Sequence, residues 1–217
     1  MLKLPRVTLC AFGSEKYRDQ QQEALDYSSW DIEFGAVKNI IVPTNTIDEW
    51  NKAVVFDLGD YIETDFALLI HPDGFVVNPD SWREEFMDYD YIGAPWPLPT
   101  DDYSYRDING VIQRVGNSVS LRSKKLLQLP KKIKMDWQSF HGNTNEDGAI
   151  CVNYRHLFEE AGCKFAPFEL AVHFSREKPL PENEEVKPFC FHRHEGQNAK
   201  YSCFELWLRV FSMKGQG

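Results

Sequence analysis

Four short stretches of this chain carry side chains able to do chemistry. The first is His71-Pro72-Asp73-Gly74. Residues two apart at the end of an extended segment project to the same side, so His71 and Asp73 can point into one site. Pro72 fixes the turn and Gly74 lets a ligand approach the backbone. A hard cation bridging phosphate oxygens wants an oxygen ligand held rigidly at such a rim; the plain alternative is a turn after a strand, where Asp-Gly is common. The second stretch is Asn145-Glu146-Asp147-Gly148, at the head of a helical segment. Either its acids merely complement a helix N-terminus, or one carboxylate stands at the mouth of a pocket and takes a proton from a hydroxyl. In the third, Phe189-Cys190-Phe191-His192-Arg193-His194, alternation sets His192 and His194 on one side and the aromatics on the other. Two histidines so spaced suit a metal ion or a solvated strand face equally well. The fourth, Arg114-Val115-Gly116-Asn117-Ser118, is a polar turn inside a strand region. It either sets backbone groups against a sugar or phosphate or is a bulge.

The elements that must position these groups alternate in type. Residues 7–12 form a short apolar run ended by Gly13-Ser14, the mark of a buried strand. Residues 15–27 are polar with a helical pattern, and residues 33–42 end in a strand that stops at Pro43. Thr46 caps a helix running to about Tyr61: Ile47, Trp50, Val54 and Leu58 fall at helical spacing and Glu49 completes a capping box. Residues 66–70 are a continuous apolar strand that ends at His71. Such βα units predict an α/β fold with an open, mostly parallel sheet flanked by helices. Ligands then sit beyond the carboxyl ends of the strands, which nominates Gly13-Ser14 and residues 71–75 as a rim. Further on, residues 91–96 precede an aromatic loop over 97–107, a strand over about 111–121 and a short helix over 123–129. A longer helix over 146–161 is closed by Gly162, a surface loop covers 179–185, and a terminal helix covers 204–211.

Composition sets the outer bounds. A length of 217 residues fits one domain, taken as 1–203 with a C-terminal helix or tail over 204–217. Hydrophobic residues make up 42% and charged ones 26%, the balance of a globular chain. Aromatic residues at 14% favour a large core and a pocket that grips flat or ring-shaped ligands. A net charge of −9 argues against a general nucleic-acid binder, whose affinity comes from neutralised phosphates. The N-terminal apolar run is too short for a signal segment, and no stretch approaches the roughly 20 apolar residues of a membrane span. Five scattered cysteines suggest neither a disulfide framework nor a zinc site and point to a reducing cytoplasm.

Taken in order, the four stretches resemble the nucleotide-sugar glycosyltransferases of the GT-A fold. More specifically, Asp73-Gly74-Phe75-Val76-Val77-Asn78-Pro79, Trp82 and Asp88-Tyr89-Asp90-Tyr91-Ile92-Gly93-Ala94-Pro95-Trp96 look like a bacterial and viral family of unknown function regarded as glycosyltransferase-like. Val115-Gly116-Asn117, Ser120-Leu121-Arg122-Ser123, Glu146-Asp147, Lys164-Phe165-Ala166-Pro167 and Pro188-Phe189 continue the likeness, which spans roughly residues 5–194. The resemblance implies a single-domain, Rossmann-like GT-A fold. It places Asp73 at the last acid of a DxD motif, ligating Mn²⁺ or Mg²⁺ on the donor diphosphate. His71 stands where the first acid belongs, a departure that leaves one strong oxygen ligand. His192 matches a late histidine that completes the metal site, with His194 as the fallback. Asp147 matches the acid that deprotonates the acceptor in inverting members, and Glu146 orients acceptor or loop. Gly116 and Asn117 match a turn lining the donor sugar, although Ser118-Val119-Ser120 replaces the family's Gly-Gly-Phe. Gly74 joins the donor side. Ala11, Phe12 and Gly13 are the candidates for base contacts; Trp96, Tyr103 and Tyr105 are those for the acceptor.

The expected activity is transfer of a sugar from a nucleotide-sugar donor to a glycan or glycolipid acceptor, such as a surface polysaccharide, with inversion and help from a divalent cation. The expected setting is the cytoplasm, peripheral to the inner membrane face, with homodimerisation through the C-terminal helix. Two alternatives stand beside it. A metal-dependent hydrolase would use Asp73, His71, His192 and Glu146. A non-catalytic carbohydrate-binding domain would account for the missing first acid and the altered turn at Gly116.

Overall fold

Alternation along the first strand decides the layering. A computed structural model describes residues 1–142 and 144–201. In β1 (Leu2–Gly13), Val7, Leu9 and Ala11 enter one core cluster while Cys10 and Phe12 enter another, so the strand is buried on both faces. Only a sheet covered by helices on each side accommodates such a strand. α1 (Arg18–Ser28) sends Ala24 and Leu25 into the first cluster; α2 (Ile47–Phe56) sends Val54 into the second. The two helices therefore cover opposite faces.

Five strands build the sheet in the order β2-β1-β3-β5-β4. β2 (Ile32–Ile41) and β3 (Phe66–Ile70) flank β1 and run parallel to it. β5 (Val115–Ser123) pairs antiparallel with β3 and with β4 (Tyr91–Pro95), so β5 alone is reversed and the sheet is mostly parallel, as expected. The order reverses about β1: the chain steps out to β2 and returns to the other side as β3. A crevice opens beyond the carboxyl ends of the strands at such a point. Because β5 is reversed, with Ser120 opposite Leu69, its amino end reaches the same crevice.

Capping explains why α2 begins where it does. The Thr46 hydroxyl accepts from Glu49 N at 3.2 Å, while the Glu49 carboxylate accepts from Asn45 N at 2.7 Å, one residue before the cap. α3 (Lys124–Lys132) is capped in the same way by Ser123, whose hydroxyl accepts from Leu126 N. The single long helix expected over 146–161 is instead three pieces. α4 (Glu146–Gly148) passes into a π-helical turn over Ala149–Asn153, closed by Tyr154 N donating to Ala149 O at 2.8 Å. After a break at Tyr154 the chain continues as α5 (Arg155–Glu160). Gly162 closes it as expected: at φ 77° its N donates to Glu159 O while Cys163 N donates to Phe158 O, a pair only a left-handed residue permits.

α6 (Phe168–Phe174) packs on β4 and leads through β6 (Ser175–Arg176), which pairs in parallel with β7 (Cys190–Phe191). The loop between them holds a 3₁₀ turn at Pro181–Asn183 with Leu180 and Asn183 buried. The strand expected from Val111 begins at Val115, with Val111 exposed in the preceding loop. No helix of the described residues is long and apolar enough to cross a membrane. The expected terminal helix over 204–211, and the dimer contact assigned to it, lie outside the described residues.

Candidate active site

A cavity of about 760 Å³ occupies the crevice at the strand ends. Its floor is Phe12, Gly13 and Ser14 from the end of β1. One wall is the loop after β3, with His71, Pro72 and Asp73; the head of α4 brings Glu146 and Asp147. Asn117 and Ser118 come from β5, while Glu177, His192 and Arg193 come from the segments after β6 and β7. Lys16, Tyr17, Trp50 and Asn51 line the far side, where α1 and α2 begin. A second cavity of about 550 Å³ continues from there between the ends of β1 and β2.

The turn after β3 is tight because His71 N donates to Gly74 O at 2.7 Å and Gly74 N returns to His71 O at 3.1 Å. Gly74 serves a different purpose from the one expected. A Cβ there would lie 2.9 Å from His192 Cα and 2.7 Å from a Val119 methyl, so the glycine admits the β7 loop rather than a ligand. That approach sets the His71 and His192 rings 5.3 Å apart, and places His192 Nε2 3.8 Å from Asp73 Oδ1. Burial first, and the neighbouring His192 second, push His71 down to about 4. Burial, with Arg193 next, takes His192 to about 3. Both imidazoles are thus neutral near pH 7 with lone pairs able to accept, and His71 Nε2 has no partner. No group of three or more His, Cys, Asp or Glu side chains arranged to hold a metal occurs among the described residues. The donor set at the rim is Asp73 and His192. It fits Mg²⁺- or Mn²⁺-type binding through one carboxylate completed by substrate phosphates, and not an all-protein cage.

The two acids of α4, which line the same cavity, differ. Glu146 is enclosed: its Oε1 accepts from Arg122 Nη2 at 2.6 Å, with the two side chains 1% and 0% exposed. Its other oxygen accepts from Asp147 N, so the Arg122–Glu146 pair holds the turn that carries Asp147. Asp147 is partly exposed to the cavity, its Oδ1 accepting from Gly148 N at 2.7 Å. Burial first and the adjacent Glu146 second push the Asp147 carboxyl up to about 8. A carboxyl so shifted is a far stronger base than a free one.

Asn117 stands at φ 85° within β5, where the pairing with β4 slips. The polar turn is therefore a bulge that also faces the cavity, with Asn117 Oδ1 accepting from Val119 N. Several expected contacts lie elsewhere. Ala11 is fully buried in β1, its methyl turned into the core on the α1 face. Gly116 lies under the Trp96 indole, which a Cβ would meet at 2.0 Å, so this glycine serves packing. Trp96 stacks on Tyr105 at 4.8 Å, Tyr103 sits against His141, and none of the three lines the cavity. His194 does not share a side with His192. Arg193 at φ 66° turns the chain, and the His194 ring rests on Phe191.

Sequence reasoning missed Glu177, Arg193, Trp50, Asn51 and Lys16. Glu177 is a buried carboxylate with Arg193 Nε at 3.3 Å and His192 Nδ1 at 3.8 Å, and burial raises it above the usual range. Trp50 donates its indole N–H to Phe12 O at 2.7 Å and lays its ring 5.4 Å from that of His71. The cation count in the cavity wall was legible only after folding: four carboxylates face Lys16 and Arg193, one of the four already paired with Arg122.

The topology defines the class: the fold is that of the GT-A glycosyltransferases. It is similar to that of a glycosyltransferase involved in the glycosylation of the major capsid of PBCV-1, at 13% identity and a TM-score of 0.56 over 93% of this chain and 98% of that one. It is likewise similar to the galactosyltransferase LgtC, solved with donor and acceptor sugar analogues, at 14% identity and a TM-score of 0.54 over 95% of each chain. At such identities the likeness establishes the fold. The chain belongs to the family described as "Protein of unknown function (DUF5672)", whose profile matches residues 58–192. No curated protein matches it.

Proposed function

We propose that this protein transfers a sugar from a nucleotide-sugar donor to a glycan or glycolipid hydroxyl, with inversion and assistance from Mn²⁺ or Mg²⁺. The observation that carries this reading is that Asp147 and the Asp73–His192 pair line one cavity at the strand ends. Asp147 takes the proton of the acceptor hydroxyl as its oxygen attacks the anomeric carbon. The bond from that carbon to the phosphate oxygen breaks, its electron pair leaves with the nucleoside diphosphate, and displacement from the opposite face inverts the centre. Asp73 and His192 are the residues that would hold the cation, which when bound supplies charge stabilisation to the departing diphosphate. Phe12, Gly13 and Trp50 bound the floor beneath the donor. Glu146 acts indirectly, by fixing the peptide of Asp147.

The cavity supplies no surplus of positive charge for a diphosphate, since Asp73 and Glu177 offset Lys16 and Arg193 and Arg122 is taken by Glu146, which supports the cation requirement. The test is incubation with a panel of uridine, guanosine and thymidine diphosphate sugars plus Mn²⁺ and mixed glycan acceptors, following release of the nucleoside diphosphate. Proton NMR of the product then reads the anomeric configuration. Release with one donor and an inverted product supports the reading; retained configuration removes the in-line step assigned to Asp147. Release of nothing from any donor removes the transferase itself.

A further inference from the structure

Arg193, like Asn117, is a cavity-wall residue with a left-handed backbone. Its φ of 66° lies in the left-handed region, which disfavours a long side chain and persists where the surroundings over-determine it. What holds it is a backbone bond, Arg193 N donating to Asp73 O at 2.6 Å. The bond lies at the turn that carries the Asp73 carboxylate, so the backbone of Arg193 is tied to the rim. Its Nε lies 3.3 Å from Glu177 Oε1, and the two side chains are 48% and 10% exposed. The carboxylate is thus enclosed while the guanidinium still faces the opening.

Resting on the transferase reading above, we propose that Arg193 takes the diphosphate of the donor, and that Glu177 occupies its place as the anion in the ligand-free cavity. The planar fork of an arginine matches two phosphate oxygens at once, which the point charge of a lysine does not. Glu177 has other partners to turn to when displaced: His192 Nδ1 lies 3.8 Å from the same oxygen, and the Asn117 side chain hydrogen-bonds it. Binding then exchanges one ion pair for another, and the ligand's charge meets a cation that the free protein keeps neutralised.

The experiment is calorimetric titration of the full chain with inorganic pyrophosphate in saturating Mg²⁺. Wild type is expected to bind. Arg193→Gly, which suits the φ of 66° but leaves the enclosed Glu177 carboxylate without its guanidinium, is expected to bind at least tenfold more weakly, with a thermal melt of the ligand-free variant checking that it is folded. Arg193→Lys recovers part of the affinity, and Glu177→Gln, which removes the competing anion, tightens binding several-fold. Equal affinity in wild type and Arg193→Gly overturns the proposal, as does no pyrophosphate binding by wild type, or weakening by Glu177→Gln as large as that from Arg193→Gly. The two readings fail separately. Loss of pyrophosphate binding in Arg193→Gly with no turnover of any nucleotide sugar sinks only the transferase. Turnover that is indifferent to Arg193 sinks only this assignment.

Discussion

Asp147 titrates with consequences for both rate and stability. Its folded value of about 8 stands far above the 3.8 of the free side chain, so the folded state holds this proton more tightly than the unfolded chain does. The stabilisation that proton confers is complete below the unfolded value and is lost as pH rises through the folded one. Asp147→Asn carries no such proton. The melting temperature of the variant relative to wild type should therefore climb between about pH 5 and pH 8, read by calorimetry across a pH series. His71 runs the other way: held at about 4 against an ordinary 6.5, it withdraws stability as pH falls through that window. In turnover, the wild-type rate should rise with pH up to about 8, where the carboxylate form takes over, and Asp147→Asn should lose a factor of about 10²–10⁴ in kcat. An Asp147→Asn enzyme of full activity would take the base away from this residue. That the head of α4 carried an acid of consequence was readable from residues 145–148 alone. Which of the two acids faces the cavity was not, because the choice is made by Arg122, a residue 24 positions away from Glu146.

At the scale of elements, the Arg122–Glu146 pair ties β5 to α4 and is the reason a turn of only three helical residues keeps its place. Arg122 also donates through Nε to Ser120 Oγ at 2.8 Å and lies over the Tyr91 ring, so it joins β5, β4 and α4. Arg122→Met leaves the Glu146 carboxylate buried without its counter-charge, a loss of about 3–5 kcal/mol in unfolding free energy. The double variant Arg122→Met/Glu146→Leu removes both charges and should regain most of that stability in urea titrations, yet lose activity because the Asp147 peptide is no longer held. A double variant as unstable as the single one would show that the loss lies in packing. The same scale shows where sequence patterns suffice. Continuous apolar runs placed β1 and β3, and the Thr46 cap with apolar residues at helical spacing placed the start of α2, since each depends on residues within a few positions. The break at Tyr154 was not visible: an uninterrupted helical pattern over 146–161 says nothing of the π turn, whose wide Ala149–Tyr154 bond is set by packing of Ala149, Ile150 and Cys151 into a core shared with Tyr91.

For the molecule as a whole, half of the cavity was legible because it follows from topology. Phe12, Gly13, His71 and Asp73 sit at strand ends, and a sheet whose order reverses about β1 must open a crevice there. The other half is assembled from the chain's last third, where Glu177 and Arg193 meet only because β6 and β7 pair. No local spacing announces that. The assembled wall then has a property no single stretch has: Arg122 neutralises Glu146, Asp73 and Glu177 offset Lys16 and Arg193, and loss of the Asp147 proton near pH 8 tips the balance to negative, on a protein whose net charge is already −9. Such a cavity repels a diphosphate unless a cation comes with it or the carboxyls bind protons. Nucleoside diphosphates should therefore raise the melting temperature in millimolar Mn²⁺ or Mg²⁺ and fail to do so in chelator at pH 8. At 100-fold excess over Kd the stabilisation is about 2.7 kcal/mol, large enough to read by thermal shift. Asp73→Ala should abolish the cation-dependent part. Because the repulsion is long-range, the residual protection in chelator should grow as pH is lowered toward 6, where Asp147 holds its proton. Protection that is as strong in chelator as in Mn²⁺, and indifferent to pH, would mean that Lys16 and Arg193 alone outweigh the acids.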